Sequence, residues 1–501
     1  MDLKNKNLHR SIFIVVLFTG VLLELLLFYL LPKQSWVDGL LQSWYFSQGL
    51  TIYKDSVSMY FPLLYALMVP FHKLFGFTQN PTIIISLVNS VILFTALTIF
   101  SFKNLQKWFC VFPPVIFLLW NFVLGNNQFT TPAFLNLVTF LSFACWWSWY
   151  KKPSKLQAIL TGLFLSLTVF TVQIMALFVG VIFISLFLRQ LASRKPLTLM
   201  VITVIAFLTP IIIIGLWLAS KNALSDFYYR VFLYYFSPGG YPYTMGRSFE
   251  NTLMFLTIFS PLILLIAGLG LSFKKKFNDI RVDFIYQRYI FSFLILVSFA
   301  VPFWFAIFHQ SRFQSSLAVT SFLFGVGLKL VFDKGFRKVG NMVTIGLVIV
   351  LHLLSLKDVI IPYFQKNIAY PPSKRIMTEI YPDDPMYKAV EWIKKNTPQN
   401  AKLFATTDSL VYLKTKRLPI NAYATSNLPV VYTPFDKFKQ ALSTTPPDYW
   451  VIDERQWDRF HDFGYDEASE ILQKILACEE VVAQIEHITI RKHKQGKNLC
   501  I

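Results

Sequence analysis

A few acidic side chains in or beside the apolar part of the chain could do chemistry. Asp38 and Asp55 follow the first apolar run, Asp226 and Glu250 lie in a later polar connection, and Glu24 lies inside the first run. Acids at such positions are costly, so each one is a functional candidate. Asp38 comes just after the apolar run, where partial desolvation raises the basicity of a carboxylate. Such a position suits a general base.

Structural roles are the alternatives for these acids. Asp38 precedes residues 39–48, which have the pattern of an interfacial helix, and aspartate is a strong helix N-cap. Glu24 can be a paired structural acid that faces other helices. The residue types alone leave both choices open.

The elements that must position these acids are mostly membrane helices. Of the 501 residues, 55% are apolar and only 15% are charged, against roughly 25% charged residues in a soluble domain. This composition excludes one large aqueous globule and predicts a polytopic α-helical membrane protein. The formal charge of +20 would suggest nucleic acid in a soluble protein, but here it falls in short clusters between apolar runs. The charge therefore indicates topology and not a nucleic acid partner.

Apolar runs of about 20 residues predict the membrane spans. The predicted spans lie at residues 11–31, 82–102, 108–124, 133–150, 197–219, 251–272, 289–308, 313–332 and 341–361, with two more inside 156–188. The run 156–188 is too long for one helix and has Gln173 at its middle, so we expect two helices hinged at 171–173. Residues 61–76 are expected to be interfacial or re-entrant. The total is about eleven transmembrane helices.

Lysine and arginine set the orientation. With the N-terminus in the cytoplasm, the cytoplasmic segments collect Lys4, Lys6, Arg10, Lys103, Lys107, Lys151, Lys152, Lys155, Arg189, Arg194, Lys195, Lys274, Lys275, Lys276, Arg281, Arg288, Lys329, Lys334, Arg337 and Lys338. The opposite side has far fewer, which is the asymmetry expected of a multi-pass protein of the cell membrane. An odd number of spans then places the loop 32–81 and the C-terminal tail outside the cytoplasm.

The composition changes near Pro362, and the tail has most of the acids. Its patterns predict helices at 384–396 and 466–478 and strands at 402–406, 449–452 and 481–490. About 130 residues suffice for an independent unit. The predicted organisation is a membrane domain of residues 1–361, with its first outer loop at 32–81, and a small C-terminal α/β extracytoplasmic domain of residues 362–501.

The loop 32–81 contains an ordered set of motifs. An acid follows the first span at Asp38, the next helix ends at Gly49, Asp55 closes a turn, a Pro-Leu helix start stands at Pro62, and Phe-Gly ends the segment at Gly76. In this order, at the first outer loop of a multi-span chain, the motifs resemble those of the GT-C glycosyltransferases. The bacterial protein-mannosyltransferase and aminoarabinose-transferase-like branch is the most similar.

The resemblance implies a function on the outer face of the membrane. Such enzymes transfer a sugar, a hexose or a pentose, from a polyprenyl-phosphate carrier to a lipid, glycan or protein acceptor, and inversion at the sugar is expected. The loop acid is the base toward the acceptor, a position that Asp38 matches, while Asp55 matches a later loop acid. Cationic side chains hold the lipid phosphate that leaves.

Two departures from the family pattern affect the site. Gly39 stands where relatives often have a second acid, which removes a metal partner for Asp38. Val172 precedes Gln173 where many relatives have a Lys-Gln pair, which removes a phosphate contact. The candidates left to bind substrate and its phosphate are Gln173, Arg230, Arg247, His309 and Arg312. Arginine suits phosphate because its planar fork binds two oxygens, and snorkelling of interfacial side chains is the structural alternative.

The remaining predictions concern cofactors and rival functions. No metal-binding spacing or nucleotide-phosphate loop is found, and a divalent metal stays open. Cys478 and Cys500 have no ligand spacing and could instead form a disulfide. A polytopic transporter is one alternative function, although no internal repeat supports it. A non-catalytic envelope assembly protein with the GT-C fold is the other, since the departures at Gly39 and Val172 keep it open.

Overall fold

The computed structural model describes most of the chain. The described residues are 3–33, 37–56, 58, 62–125, 131–172, 175–193, 197–231, 233, 248–276, 284–305, 313–333, 339–369, 376, 380–407, 409–421, 435–456 and 466–493.

The chain forms two compact units, each assembled from three segments. The helical unit comprises Met1–Ser35, Thr82–Ile213 and Thr244–Met377, and the loop-and-sheet unit comprises Trp36–Pro81, Ile214–Tyr243 and Thr378–Ile501. The first outer loop thus shares a unit with the C-terminal sheet, whereas the sequence-based boundaries group it with the membrane helices. Those boundaries at 1–361 and 362–501 stay a prediction.

Helices dominate the described chain, as the composition predicts. They are α1 (Leu3–Leu30), α2 (Val37–Ser47), α3 (Pro62–Phe75), α4 (Gln79–Asn104), α5 (Phe112–Asn121), α6 (Thr131–Lys151), α7 (Lys155–Thr171), α8 (Ala176–Ala192), α9 (Thr198–Ser220), α10 (Leu224–Val231), α11 (Phe249–Ile258), α12 (Ser260–Lys276), α13 (Phe284–Phe305), α14 (Leu317–Asp333), α15 (Val339–Ser355), α16 (Ile361–Ile368), α17 (Pro385–Asn396), α18 (Leu410–Thr415), α19 (Phe435–Thr444) and α20 (Asp466–Ala477). A π-helical turn, Leu356–Ile360, joins α15 to α16.

Within the described residues, seven helical segments are long and apolar enough to cross a membrane. They are Asn7–Leu30, Gln79–Asn104, Thr198–Ser220, Phe249–Leu269, Gln287–Trp304, Gln314–Asp333 and Val339–Ile368. Four shorter apolar helices accompany them, and α3 is one of these at 14 residues. Every predicted span overlaps one or more of the described helices, which confirms a polytopic α-helical membrane protein. The predicted number of about eleven exceeds the seven that meet the full length and hydropathy of a span. Helices α5, α7 and α8 are shorter than the roughly 20 residues required, and α6 has 21 residues but is not among the seven.

The predicted division of residues 156–188 into two helices is confirmed. Helix α7 begins after Ser154, whose hydroxyl accepts a hydrogen bond from the Gln157 amide, and it ends at Thr171. Val172 is extended, with φ −151° and ψ 127°, so it cannot continue the helix, and α8 begins at Ala176. Gln173 lies outside the described residues.

Small residues let the helices of the helical unit approach closely. Helix α14 is buried along nearly its whole length. A Cβ on Gly327 would lie 2.6 Å from Leu264 Cβ, and one on Gly325 would lie 2.8 Å from the Phe109 carbonyl oxygen. Close backbone approach at glycine is a usual source of helix packing in membranes, where the hydrophobic effect gives no drive between helices.

Glu24 links three helices in the interior of the helical unit. Ser90 of α4 donates a hydrogen bond to Oε2 of Glu24, and Asn121 of α5 donates to Oε1 at 2.9 Å. The Asn121 amide also reaches the Ser90 hydroxyl at 3.0 Å. All three side chains are 0% exposed. These contacts are those of a structural acid that fixes the register of its helices.

The loop-and-sheet unit contains a four-stranded sheet. Its strands are β1 (Leu403–Ala405), β2 (Tyr449–Asp453), β3 (Glu480–Ile485) and β4 (Ile488–Lys492), in the order β1-β2-β4-β3. Strands β1 and β2 are parallel, so the chain crosses between them through α18 and α19. The other neighbours are antiparallel. The predicted small α/β domain is therefore present.

One predicted strand in this domain is wrong. Residues 481–490 were expected to form a single strand, but a two-residue turn at Glu486 and His487 divides them into β3 and β4. Glu486 adopts a left-handed conformation with φ 54°. Glycine, asparagine or aspartate normally mark such turns, so the sequence had no turn signal at this point.

Candidate active site

Helix α2 holds the predicted base against the C-terminal sheet. Its side chains Leu40, Leu41, Trp44 and Tyr45 are buried in one core cluster with side chains of β1, β2 and β4. Leu40 and Trp44 are four residues apart, as are Leu41 and Tyr45, so all four lie on one face of the helix. Burial of a large apolar side chain stabilises a fold by roughly 1.5–3 kcal/mol. Asp38, in the first turn, is therefore attached to a firmly packed element.

Two side chains orient the Asp38 carboxylate. The Tyr65 hydroxyl donates a hydrogen bond of 2.6 Å to Oδ2. The Gln42 amide, one turn along α2, lies 3.5 Å from Oδ1. Asp38 is half-buried, and within the part of the chain that the structure describes it has no ion-pair partner. The carboxylate is thus fixed by neutral donors while part of its surface stays open.

The helix-cap alternative for Asp38 does not fit this geometry. Helix α2 begins at Val37, so Asp38 already lies inside the first turn. Both of its oxygens face side chains, and among the described residues no backbone amide donates to them. A capping aspartate would accept a hydrogen bond from an amide two or three residues further on.

A second set of contacts holds the two donors in place. The Ser58 hydroxyl lies 2.7 Å from the Tyr65 hydroxyl. The Ser56 hydroxyl donates to Gln42 Oε1 at 2.7 Å, which leaves the amide nitrogen of Gln42 directed at Asp38. A side chain whose partners are themselves hydrogen-bonded is held more firmly in one orientation.

The environment favours a basic carboxylate. Burial raises the pKa of Asp38, and the hydrogen bonds from Tyr65 and Gln42 oppose part of that rise. Burial also raises the pKa of Tyr45, Tyr53 and Tyr65 well above the usual value for tyrosine. These three hydroxyls are therefore neutral near pH 7. A carboxylate with a raised pKa binds a proton more strongly, which is the property a general base needs.

Asp55 forms a turn. Its Oδ2 accepts a hydrogen bond of 2.8 Å from the Thr51 amide, and its own amide donates to the Thr51 carbonyl at 2.8 Å. Tyr53, between them, has φ 72°. The carboxylate thus fixes the loop that carries Ser56. A catalytic role for Asp55 stays a prediction.

Arg230 joins the network around Asp38 through the loop. It lies at the end of α10, is 6% exposed, and its Nη1 donates to the Ser56 carbonyl oxygen at 3.3 Å. Ser56 in turn contacts Gln42, and Gln42 contacts Asp38. The structure therefore places one predicted phosphate-binding cation three contacts from the predicted base.

The other predicted binding residues cannot be placed. Gln173, Arg247, His309 and Arg312 lie outside the described residues. Their assignment to substrate or phosphate stays a prediction.

The sequence analysis missed the residues that orient Asp38. Gln42 could have been found, because residues four apart on a helix are neighbours. Tyr65, Ser56 and Ser58 have no comparable signal. Tyr65 reaches Asp38 and Ser56 reaches Gln42 only when α3 and the preceding loop pack beside α2, and Ser58 acts through Tyr65. Within the described ranges no three His, Cys, Asp or Glu side chains gather as metal ligands.

Comparison with solved structures identifies the fold. The sequence matches no protein-family model and no curated protein. The chain is similar to ArnT from Cupriavidus metallidurans bound to undecaprenyl phosphate, with a TM-score of 0.50 and 12% identity over 98% of both chains. It is also similar to the apo oligosaccharyltransferase from Archaeoglobus fulgidus, with a TM-score of 0.53 and 13% identity over 92% of this chain and 72% of that one. The chain has the GT-C fold.

A third GT-C structure is equally similar. AglB from Archaeoglobus fulgidus, in complex with an inhibitory peptide and a dolichol-phosphate, has a TM-score of 0.51 and 13% identity over 94% of this chain and 73% of its own. The resemblance seen in the loop motifs is thereby confirmed as a GT-C fold. Identities this low show the fold and not the reaction.

Proposed function

We propose that this GT-C protein is an inverting glycosyltransferase that uses a polyprenyl-phosphate sugar as donor. The acceptor is a lipid, a glycan or a protein, and the reaction takes place on the outer face of the cell membrane. Asp38 is the general base. The observation that carries the proposal is the half-buried Asp38 carboxylate, oriented by Tyr65 and Gln42 and free of any described cation.

The chemistry requires one proton acceptor and one leaving group. Asp38 takes the proton from the acceptor hydroxyl as its oxygen forms a bond to the anomeric carbon. The bond between that carbon and the phosphate oxygen of the carrier breaks, and its electron pair leaves with the lipid phosphate. Attack from the side opposite the leaving group inverts the anomeric centre.

The lipid phosphate needs positive charge as it departs. Arg230 is the described candidate, and Arg247, His309, Arg312 and Gln173 are candidates from the sequence. Fixed donors directed at a developing negative charge are often the largest single contribution to catalysis. The solved structures of ArnT with undecaprenyl phosphate and of AglB with dolichol-phosphate support a carrier of this chemical class.

The outer location of the site has two supports. Lysine and arginine concentrate in the segments predicted to be cytoplasmic. Cys478 is disulfide-bonded, and disulfides persist in oxidising compartments. Its predicted partner Cys500 lies outside the described residues. Both observations favour an extracytoplasmic loop-and-sheet unit, which contains Asp38 and Cys478.

The test is transfer by the purified full-length protein in lipid nanodiscs. Polyprenyl-phosphate sugars are supplied with a panel of lipid, glycan and peptide acceptors, and release of the free carrier phosphate is measured. We expect release with at least one donor and its loss in Asp38→Asn. The control is Asp333→Asn, which neutralises an exposed acid paired with Lys329 and should leave turnover unchanged.

Two results would contradict the proposal. Turnover by Asp38→Asn at the wild-type rate would remove Asp38 from the mechanism. Carrier-independent flux of a solute across the membrane, with no consumption of any polyprenyl-phosphate sugar, would favour the transporter.

A further inference from the structure

A cluster of cations lies at one end of the helical unit, and the proposed reaction does not use it. Lys151 ends α6, Arg189 lies in the last turn of α8, and Arg288 lies near the start of α13. Arg189 and Arg288 are each only 8% exposed, whereas Lys151 is exposed at the rim. All three belong to segments that the sequence predicts to be cytoplasmic.

The cluster is built on aromatic side chains. The Arg288 guanidinium lies 4.1 Å from the centre of the Trp147 ring, and that of Arg189 lies 4.9 Å from the centre of the Tyr150 ring. Cation–π contacts of this kind hold the two planar groups in place. A cation–π contact does not remove the charge of Arg288, whose guanidinium is buried close to that of Arg189.

Polar contacts fix the rim of the same cluster. The Asn104 side-chain oxygen accepts hydrogen bonds from Lys151 Nζ at 2.8 Å and from Trp147 Nε1 at 3.1 Å. The charge of Arg288 is close enough to interact electrostatically with those of Lys151 and Arg189. Among the described residues, neither Lys151 nor Arg288 has a carboxylate partner, and Arg288 Nε, which is fully buried, has no hydrogen-bond partner.

Helix dipoles account for only part of this arrangement. A cation in the last turn of a helix is stabilised by the negative end of the helix dipole, which accounts for Lys151 and Arg189. Arg288 lies near the first turn of α13, at the positive end of a helix, where an anion and not a cation is favoured. The dipole of α13 therefore gives Arg288 no stabilisation, and the Arg288 charge adds to the preference of that helix end for an anion.

We propose that Arg189, Arg288 and Lys151 bind a phosphate group at this end of the helical unit, either that of an anionic phospholipid headgroup or free phosphate. The planar forks of the two arginines suit two phosphate oxygens, and Lys151 supplies a point charge at the opening. Basic pockets between membrane helices on the cytoplasmic side recognise lipid headgroups in this way. The cluster belongs to the helical unit and Asp38 to the loop-and-sheet unit, and the phosphate site does not depend on the proposed reaction.

The test uses the delipidated full-length protein in neutral detergent. Binding of phosphatidylglycerol, of phosphatidylcholine and of inorganic phosphate is measured by native mass spectrometry and by the melting temperature. We expect phosphatidylglycerol to bind and raise the melting temperature, and phosphatidylcholine to do neither. In Arg288→Gln the affinity for phosphatidylglycerol should fall at least about tenfold, because the site loses one of its two guanidinium groups.

Two further variants control for misfolding and for a general loss of positive charge. Lys155→Gln removes one exposed positive charge from the same predicted side and should bind like wild type. Lys151→Gln changes an exposed side chain and leaves the buried packing intact. It should weaken phosphatidylglycerol binding by a smaller factor than Arg288→Gln.

The outcomes distinguish a lipid headgroup from free phosphate, and two of them would contradict the proposed site. Protection by phosphatidylglycerol alone identifies the headgroup, and protection by inorganic phosphate that Arg288→Gln abolishes identifies the free anion. Equal affinity of wild type, Arg288→Gln and Lys155→Gln, or equal binding of phosphatidylcholine and phosphatidylglycerol, would overturn the proposal.

Discussion

The two units each contain an acid away from bulk water, and the two acids have different surroundings. In the helical unit Glu24 is 0% exposed, and both of its oxygens accept hydrogen bonds from neighbouring helices. In the loop-and-sheet unit Asp38 also has a partner at each oxygen, but it is half-buried. Burial and hydrogen bonding alone therefore do not make a base. Access of an acceptor to the carboxylate is the additional condition.

The partners of the two acids also differ in origin. Glu24 is held by residues of two helices that pack against α1, so its contacts follow from helix packing. Asp38 is held by Gln42 on its own helix and by Tyr65 on α3, with a loop serine behind each of them. A carboxylate positioned by a layer of supporting hydrogen bonds is typical of a functional site.

The largest expected effect is on the rate of sugar transfer, which should depend on Asp38 and not on Glu24. Asp38→Asn should lower the rate of sugar transfer by about 10²–10⁴-fold, the usual contribution of a general base. Glu24→Gln should leave the rate close to wild type, because it keeps the shape of the side chain inside its network. Carrier phosphate release in nanodiscs measures both. The comparison between the acids fails if Glu24→Gln is the less active variant.

The second effect is a loss of stability, which we expect only when Glu24, the acid of the helical unit, is replaced. Glu24→Leu leaves Ser90 and Asn121 without their shared acceptor in a buried position, which costs about 1–3 kcal/mol. The melting temperature should fall, whereas Glu24→Gln should change it little. A melting temperature for Glu24→Leu equal to wild type would show that Ser90 and Asn121 find other partners.

The third effect tests whether Tyr65 positions the base. In Tyr65→Phe the rate should fall roughly tenfold, since the carboxylate loses one of its two orienting donors. The hydrogen bond from Tyr65 lowers the pKa of Asp38, so its loss should raise that pKa. The acidic limb of the pH–rate profile should then move to higher pH. An unchanged profile would assign Tyr65 a purely structural role.

The smallest effect is a pH-dependent gain in stability for Asp38→Asn. Because burial raises the pKa of Asp38, the folded state prefers the protonated form. Its contribution to stability is complete below the unfolded pKa of about 3.9 and is lost as the pH rises through the folded value. Asp38→Asn should therefore melt higher than wild type near pH 7 and equally near pH 4. A lower melting temperature of the variant near pH 7 would contradict the burial of charge at this position.

Much of the fold could be predicted from local pattern. Apolar runs of span length determined where the helices lie, and the length of residues 156–188 determined that they form two helices. The hairpin at Glu486 could not be predicted, because a non-glycine residue in the left-handed region has no signature in the sequence. The pairing of the loop 32–81 with the C-terminal sheet in one unit could not be predicted either, since it depends on the buried face of α2 finding its partner far along the chain.

The candidate site divides in the same way. Asp38 could be singled out because a carboxylate directly after an apolar run is costly and therefore rare. Gln42 could be predicted as its neighbour, because it lies four residues further along the same helix. Tyr65 is 27 residues from Asp38, and Arg230 is 174 residues from Ser56. No local rule connects residues at such distances.

The sequence by itself determined the membrane helices, the small C-terminal α/β domain and the place of one acid beside the apolar boundary, because each depends on runs of neighbouring residues. Only the tertiary structure decided whether Asp38 caps its own helix. A carboxylate in the first turn can bind its own helix's amides or a more distant donor. The packing of α3 beside α2 brings the Tyr65 hydroxyl to 2.6 Å, and that contact directs the carboxylate away from the role of a cap.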